Sequence, residues 1–187
     1  MKYWFISGIP AAGKSYLAKK VAADLGLDYY AVDEWREELI DDPELGKWVK
    51  LFWEVDEEKY WQTTSPEQHW QNLVDQSEAL WPQIKVKIKE IQDTGRGAIF
   101  EGVNILPHLA KDLDFSGIVL LGESYEQILD RNKKDPRWGN TEELQVEEAK
   151  AFWEWERPKY ESESNQYGFK TFSGPMEAEE ELRKILG

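Results

Sequence analysis

Gly8-Ile9-Pro10-Ala11-Ala12-Gly13-Lys14-Ser15 decides the reading of this chain. The stretch satisfies G-x-x-x-x-G-K-[ST] at every specified position. Chance alone would give such a match in fewer than about one in a hundred chains of this length. Its flanks agree with it. The apolar run at 3–7 reads as a short buried strand. Residues 14–25 read as a helix, with Leu17, Val21 and Leu25 on one face and Gly26 as its stop. A strand, loop and helix in this order turn backbone N–H groups inward around phosphate oxygens, and the helix N-terminus adds partial positive charge. On this reading Gly8, Ala11, Ala12, Gly13, Lys14, Ser15 and Tyr16 bind a nucleotide. Lys14 reaches its β- and γ-phosphates, and the Ser15 hydroxyl ligates Mg²⁺. The competing reading is a Gly/Ala-rich turn carrying an exposed lysine.

Moving outward, 29–32 read as a second strand ending at Asp33, 97–101 as a third ending at Glu101, 117–121 as a fourth and 169–173 as a fifth. Helical patterns separate them: 34–40, 43–61, 65–95 with a kink expected at Pro82, 124–133, 141–164 and 175–186. Strands alternating with helices imply crossover connections, hence a parallel sheet covered on both faces. The chain then reads as one α/β domain over 1–187, with a helical insertion at about 43–93 and a lid at about 131–141.

Ligands of such sheets sit beyond the carboxyl ends of the strands. Asp33 is therefore placed to take the proton of an attacking hydroxyl, with Arg36 one turn later to pair with an anionic group of an acceptor. A plain N-cap for Asp33 and a surface ion pair for Arg36 are the alternatives. Glu101 is placed to hold Mg²⁺ through water or to bond Ser15, or is an ordinary strand-end acid. Arg131 and Arg137 bracket the only locally basic stretch and would stabilise charge on a transferred phosphoryl group. A solvated helix C-terminus would also favour cations there.

The composition narrows the possibilities further. Among 187 residues, 37 acids against 23 bases give a net charge of −14. Such a surface disfavours DNA, RNA and anionic membranes as partners. With no cysteine and only His69 and His108, thiolate catalysis, disulfides and Cys- or His-rich metal sites are excluded. The two histidines read as surface or capping residues. The apolar start at Tyr3 stops at Ser7, too short for a secretion signal, and no window reaches the length of a membrane span. A soluble cytoplasmic protein is expected; its oligomeric state is not legible.

The strand–GxxxxGKS–helix start, the strand-end Asp followed three residues later by Arg, and the Arg-containing lid together resemble small P-loop kinases. That superfamily includes nucleoside monophosphate, shikimate and gluconate kinases, zeta-toxin-like kinases and polynucleotide 5′-kinases. Asp33-Glu34-Trp35-Arg36 is similar to the acidic pair plus Arg of the zeta-toxin and polynucleotide-kinase group, where the first acid is the base. The segment from Glu101 to Pro107 is similar to the EGV-x-x-x-P stretch of 2-phosphoglycerate-kinase-like proteins. The resemblance implies a three-layer P-loop NTPase fold with sheet order 2-3-1-4-5, ATP and Mg²⁺, and an acceptor bearing a hydroxyl or phosphate. It implies catalytic roles for Lys14, Asp33 and Arg131. No shikimate-kinase triple-Gly segment is present, and no Arg pair marks a nucleoside monophosphate site.

The insertion matches no family. Five of the ten tryptophans lie in it. Trp48 and Trp81 fit the apolar stripes of its helices and are expected in a core. Trp53, Trp61 and Trp70 sit at stripe edges and are candidates for an aromatic acceptor pocket. The expected activity is transfer of the γ-phosphate of Mg-ATP to a hydroxyl of a small molecule. A polynucleotide or nucleotide-sugar kinase and a non-catalytic ATP-binding module are the alternatives.

Overall fold

The first strand, β1 (Tyr3–Gly8), lies at the centre of the sheet. The computed structural model describes residues 3–52 and 54–186. β1 pairs in parallel with β3 (Ala98–Glu101) on one side and β4 (Gly117–Leu120) on the other. Outside these, β2 (Asp28–Ala31) pairs with β3, and β5 (Lys170–Phe172) with β4. The sheet is all-parallel in the order 2-3-1-4-5, as the resemblance implied.

Strand side chains alternate between two cores. Ile6, Ile99 and Ile118 face one that holds Leu17, Val21, Tyr160 and Leu182; Phe5 and Phe100 face another that holds Val32, Leu80, Ile84 and Ile88. The first is covered by α1 (Lys14–Leu25) and α10 (Pro175–Leu186), which pack against each other, while α9 (Arg157–Tyr167) packs against β4 and β5. The second is covered by α2 (Val32–Glu37), α5 (Pro66–Asp93) and the short α6 (Pro107–Ala110), a helix that the sequence reading did not anticipate. Three layers result, and the carboxyl ends of β1, β2 and β3 open on one edge.

Two helices differ from expectation. The segment 43–61 is not continuous. It forms α3 (Gly46–Val49) and α4 (Glu57–Thr63), because aspartates capture backbone donors locally. Asp42 Oδ1 accepts from Glu44 and Leu45 N–H, and Asp56 caps α4 by accepting from Lys59 N–H. The helix expected at 141–164 is α8 (Glu142–Lys150), a π-helical segment Ala151–Glu156 and then α9. Pro158 has no N–H to give the preceding turn, and the turn before it widens: Arg157 N–H donates to Phe152 five residues back. By contrast α5, capped by Ser65 and opened by Pro66, runs on through Pro82. α7 (Tyr125–Lys134) follows β4.

Candidate active site

The loop after β1 is held open by its backbone. Gly8 and Gly13 have φ of 125° and 95°, and a Cβ at Gly8 would overlap the Leu120 carbonyl of the neighbouring strand. Ala11 also takes a positive φ, 57°, a conformation that the residue type does not announce. Gly13 precedes the first turn of α1. Lys14 is buried, and its Nζ donates to the Ile9 carbonyl at 2.8 Å, spanning the loop. Burial lowers its pKa, while the charges of Glu101 and Asp33 oppose the shift. The lysine thus sits desolvated and short of counter-charge, a site suited to phosphate.

Ser15 Oγ donates to Glu101 Oε1 at 2.9 Å, and Tyr29 OH donates to the same oxygen at 2.8 Å. Glu101 is buried at the end of β3. Burial, with Glu101 beside it, holds the Tyr29 phenol well above its usual range, so this hydroxyl remains a donor. No group of three or more His, Cys, Asp and Glu side chains among the described residues forms a metal cage. A hydroxyl backed by a carboxylate, next to a phosphate cradle, suits a cation that arrives with its phosphates.

Asp33 lies inside the first turn of α2. Ala31 occupies the cap position and makes no side-chain cap, so the capping role open to Asp33 in the sequence is not the one it fills. Its Oδ1 is buried with no hydrogen-bond partner among the described residues, 3.9 Å from Arg36 Nη1. Gly102 makes room for it: a Cβ there would lie 3.0 Å from Asp33 Oδ1. Arg36 Nη1 donates to Asn104 Oδ1 at 3.1 Å. Asn104, fully buried, donates to Gln76 Oε1 and Ser77 Oγ on α5, which ties the insertion to Arg36.

Arg131 is not on the lid loop but on the last turns of α7. Its Nη1 donates to the Ala11 carbonyl at 3.1 Å and its Nη2 to Gln127 at 3.1 Å. Arg137 is half-exposed, 3.5 Å from Asp135, and its charge lowers the pKa of Lys14.

One cavity of about 590 Å³ joins these groups. Lys14, Ser15, Tyr16, Asp33, Arg36, Glu101, Arg131 and Arg137 all line it, as does Trp61. Trp70 does not; it is buried against Tyr160, ring centroids 5.3 Å apart, and belongs to the core. Trp81 is buried and Trp48 half-buried. Trp53 lies outside the described residues. His69 is no surface residue: it is buried on the cavity wall between Tyr60 and Glu156. His108 is half-buried and bonded to Glu163, which raises its pKa. The far wall adds Phe52, Trp138, Phe152, Glu148 and Glu156, none singled out in the sequence. Apolar residues and acids spread over α8, the π-helical segment and a loop carry no shared local pattern.

No protein-family profile matches the chain, and no curated relative matches it by sequence. Solved structures do match in fold. One is an uncharacterized protein from Eubacterium ventriosum, 15% identical, TM-score 0.55, with 99% of this chain and 97% of that one covered. Another is shikimate kinase from Acinetobacter baumannii in complex with shikimate, 12% identical, TM-score 0.55, covering 100% and 93%. Deoxyadenosine kinase from M. mycoides with bound dATP is 20% identical at a TM-score of 0.49, covering 92% and 90%. Among the described residues no helix is long and apolar enough to cross a membrane. The sheet order, the loop between β1 and α1 and the likeness to the Acinetobacter baumannii enzyme together give the chain the fold of a P-loop kinase of the shikimate kinase kind.

Proposed function

We propose that the chain is an ATP-dependent phosphotransferase acting on a hydroxyl of a small molecule. The observation that carries this reading is Asp33: a buried carboxylate oxygen with no hydrogen-bond partner among the described residues, in the same cavity as Lys14 and Ser15. A module that only bound nucleotide would need the loop but no base facing it. The charge of −14 weighs against a polynucleotide acceptor. ATP as donor goes with a cytoplasmic location.

Backbone N–H groups of the loop and Lys14 Nζ hold the triphosphate. Ser15 and Glu101 would hold Mg²⁺, which when bound neutralises phosphate charge. Asp33 orients the acceptor hydroxyl and takes its proton. The hydroxyl oxygen bonds to Pγ, and the bond from Pγ to the β,γ-bridging oxygen breaks. ADP leaves with that electron pair. Arg131, and Arg137 where it reaches, offset charge on the moving phosphoryl group.

Calorimetry with Mg-ATP tests the donor site. Lys14→Ala should weaken binding by about tenfold or more, and Ser15→Ala should remove the dependence of affinity on Mg²⁺. Wild-type ATP affinity in both variants would remove the foundation of this reading.

A further inference from the structure

The cavity is unlike its phosphate end where it runs under α4 and α8. There the wall is aromatic, with Phe52, Trp61, Trp138 and Phe152, and acidic, with Glu148 and Glu156. Trp61 and Trp138 have ring centroids 5.6 Å apart, and Phe52 and Trp138 6.1 Å. Glu156 is 3% exposed. Its Oε1 is bonded to His69 Nε2 at 2.9 Å, and its Oε2 is buried with no protein hydrogen-bond partner among the described residues.

The hydrogen bonds around that pair involve neutral partners. Asn72 Nδ2 donates to Tyr60 OH at 3.2 Å, so the phenol oxygen already accepts a bond. Tyr60 OH lies 2.9 Å from His69 Nδ1, and burial pushes the phenol up to about 12, so it keeps its proton. Where the phenol donates to Nδ1, Nε2 is the protonated nitrogen facing Glu156. With that tautomer His69 orients Glu156 through a neutral ring. No Lys or Arg among the described residues forms an ion pair with Glu156. Arg36, on the same cavity, stands 3.9 Å from Asp33 and 3.8 Å from Glu37 and is offset by them.

The same cavity is lined by a second buried acid with no Lys or Arg ion pair among the described residues. Glu148 takes its bonds from neutral donors, Asn132 Nδ2 at 2.7 Å and Gly139 N–H at 2.5 Å. An unpaired buried charge is costly unless a ligand supplies its counterpart. Aromatic faces next to carboxylates, with water excluded, are the chemistry that recognises an organic ammonium.

We propose that the acceptor taken by this cavity is a hydroxyl-bearing organic cation, its ammonium held by Glu156 against the wall of Phe52, Trp61 and Trp138 and its hydroxyl turned toward Asp33. The acceptor role rests on the phosphotransferase reading; the cation site does not. An anionic acceptor such as a hydroxy acid would meet Glu148 and Glu156 and be repelled.

Calorimetry on the full chain, without nucleotide, separates the two. The probes are choline against its neutral isostere neohexyl alcohol, deoxystreptamine against inositol, and shikimate as an anion. The cations should bind at least about tenfold more tightly than their neutral partners, and shikimate least. Glu156→Gln should abolish the preference. Trp138→Leu, at a half-buried position, should weaken the cations by about tenfold and serves if Glu156→Gln does not fold. Equal or tighter binding of the neutral or anionic probes, or a preference that survives Glu156→Gln, overturns the proposal. ADP release with Mg-ATP is then followed for each probe. Transfer to a neutral or anionic hydroxyl in preference to the cations also overturns it while sparing the kinase. Cations that bind selectively in a chain that transfers phosphate to nothing would sink the acceptor role and leave a cation-binding site.

Discussion

Asp33 and Arg36 share one turn of α2, yet their environments pull apart: the arginine is anchored by Asn104, whereas the aspartate Oδ1 is buried with no hydrogen-bond partner among the described residues. Asp33→Asn keeps the shape and the neighbours and removes only the ability to accept a proton. ATP affinity and the thermal midpoint should stay at wild-type values while turnover falls about 10²–10⁴-fold, the range for one positioned base. A variant with wild-type transfer would assign Asp33 a role in positioning alone. Glu57 makes a different test. Burial and the nearby Glu148 hold its carboxyl up at about 7 against an ordinary value of 4.5, although Trp61 Nε1–H bonds it. The folded chain therefore keeps a proton there that the unfolded chain has released, and stability falls as pH rises from about 4.5 to 7. Glu57→Gln should flatten that fall and be more stable than wild type at pH 8 by on the order of 1 kcal/mol. Melting curves at pH 5.5 and pH 8 read this; a wild type whose midpoint does not drop relative to the variant would count against it. At this scale the legible residues were those beside the phosphate motif. Lys14, Ser15, Asp33 and Glu101 each follow a strand in sequence. Glu156 and His69 lie 87 positions apart, and only packing brings them together.

The segment between α7 and α8 is the element whose conformation bears on turnover. Arg137 lines the cavity, Trp138 packs edge-on against Phe52 and Tyr60, and Gly139 N–H is tied to Glu148. Its contacts are to the cavity wall, so its mobility should depend on what the cavity holds. Hydrogen exchange over 135–141 should slow several-fold with a non-hydrolysable ATP analogue and Mg²⁺. Identical exchange with and without nucleotide would mean that this segment is a fixed wall. The helical stripes announced α1, α5 and α10, because each buries a face at helical period. The breaks did not announce themselves. Asp42 and Asp56 interrupt an apolar stripe through side-chain bonds that periodicity does not register, and the widened turn at Ala151–Glu156 leaves the stripe almost unchanged.

Across the whole molecule, the strand order brings three loops from distant parts of the chain to one edge, and the insertion roofs that edge with aromatic rings. The negative surface and the few cations at the loop are compatible because a phosphate cradle works through backbone dipoles at short range. The same strand order governs how the chain can fold. Tyr3 pairs with Ala98, and Phe5 with Gly117, so the strand that presents the phosphate loop has no sheet partner until just over half of the chain exists, and its second only at nearly two-thirds. A nascent chain emerging from the ribosome must hold that apolar strand unpaired through the whole insertion. The late closure of so long a loop makes this a slow-folding topology, one in which the nucleotide site is among the last features to be completed.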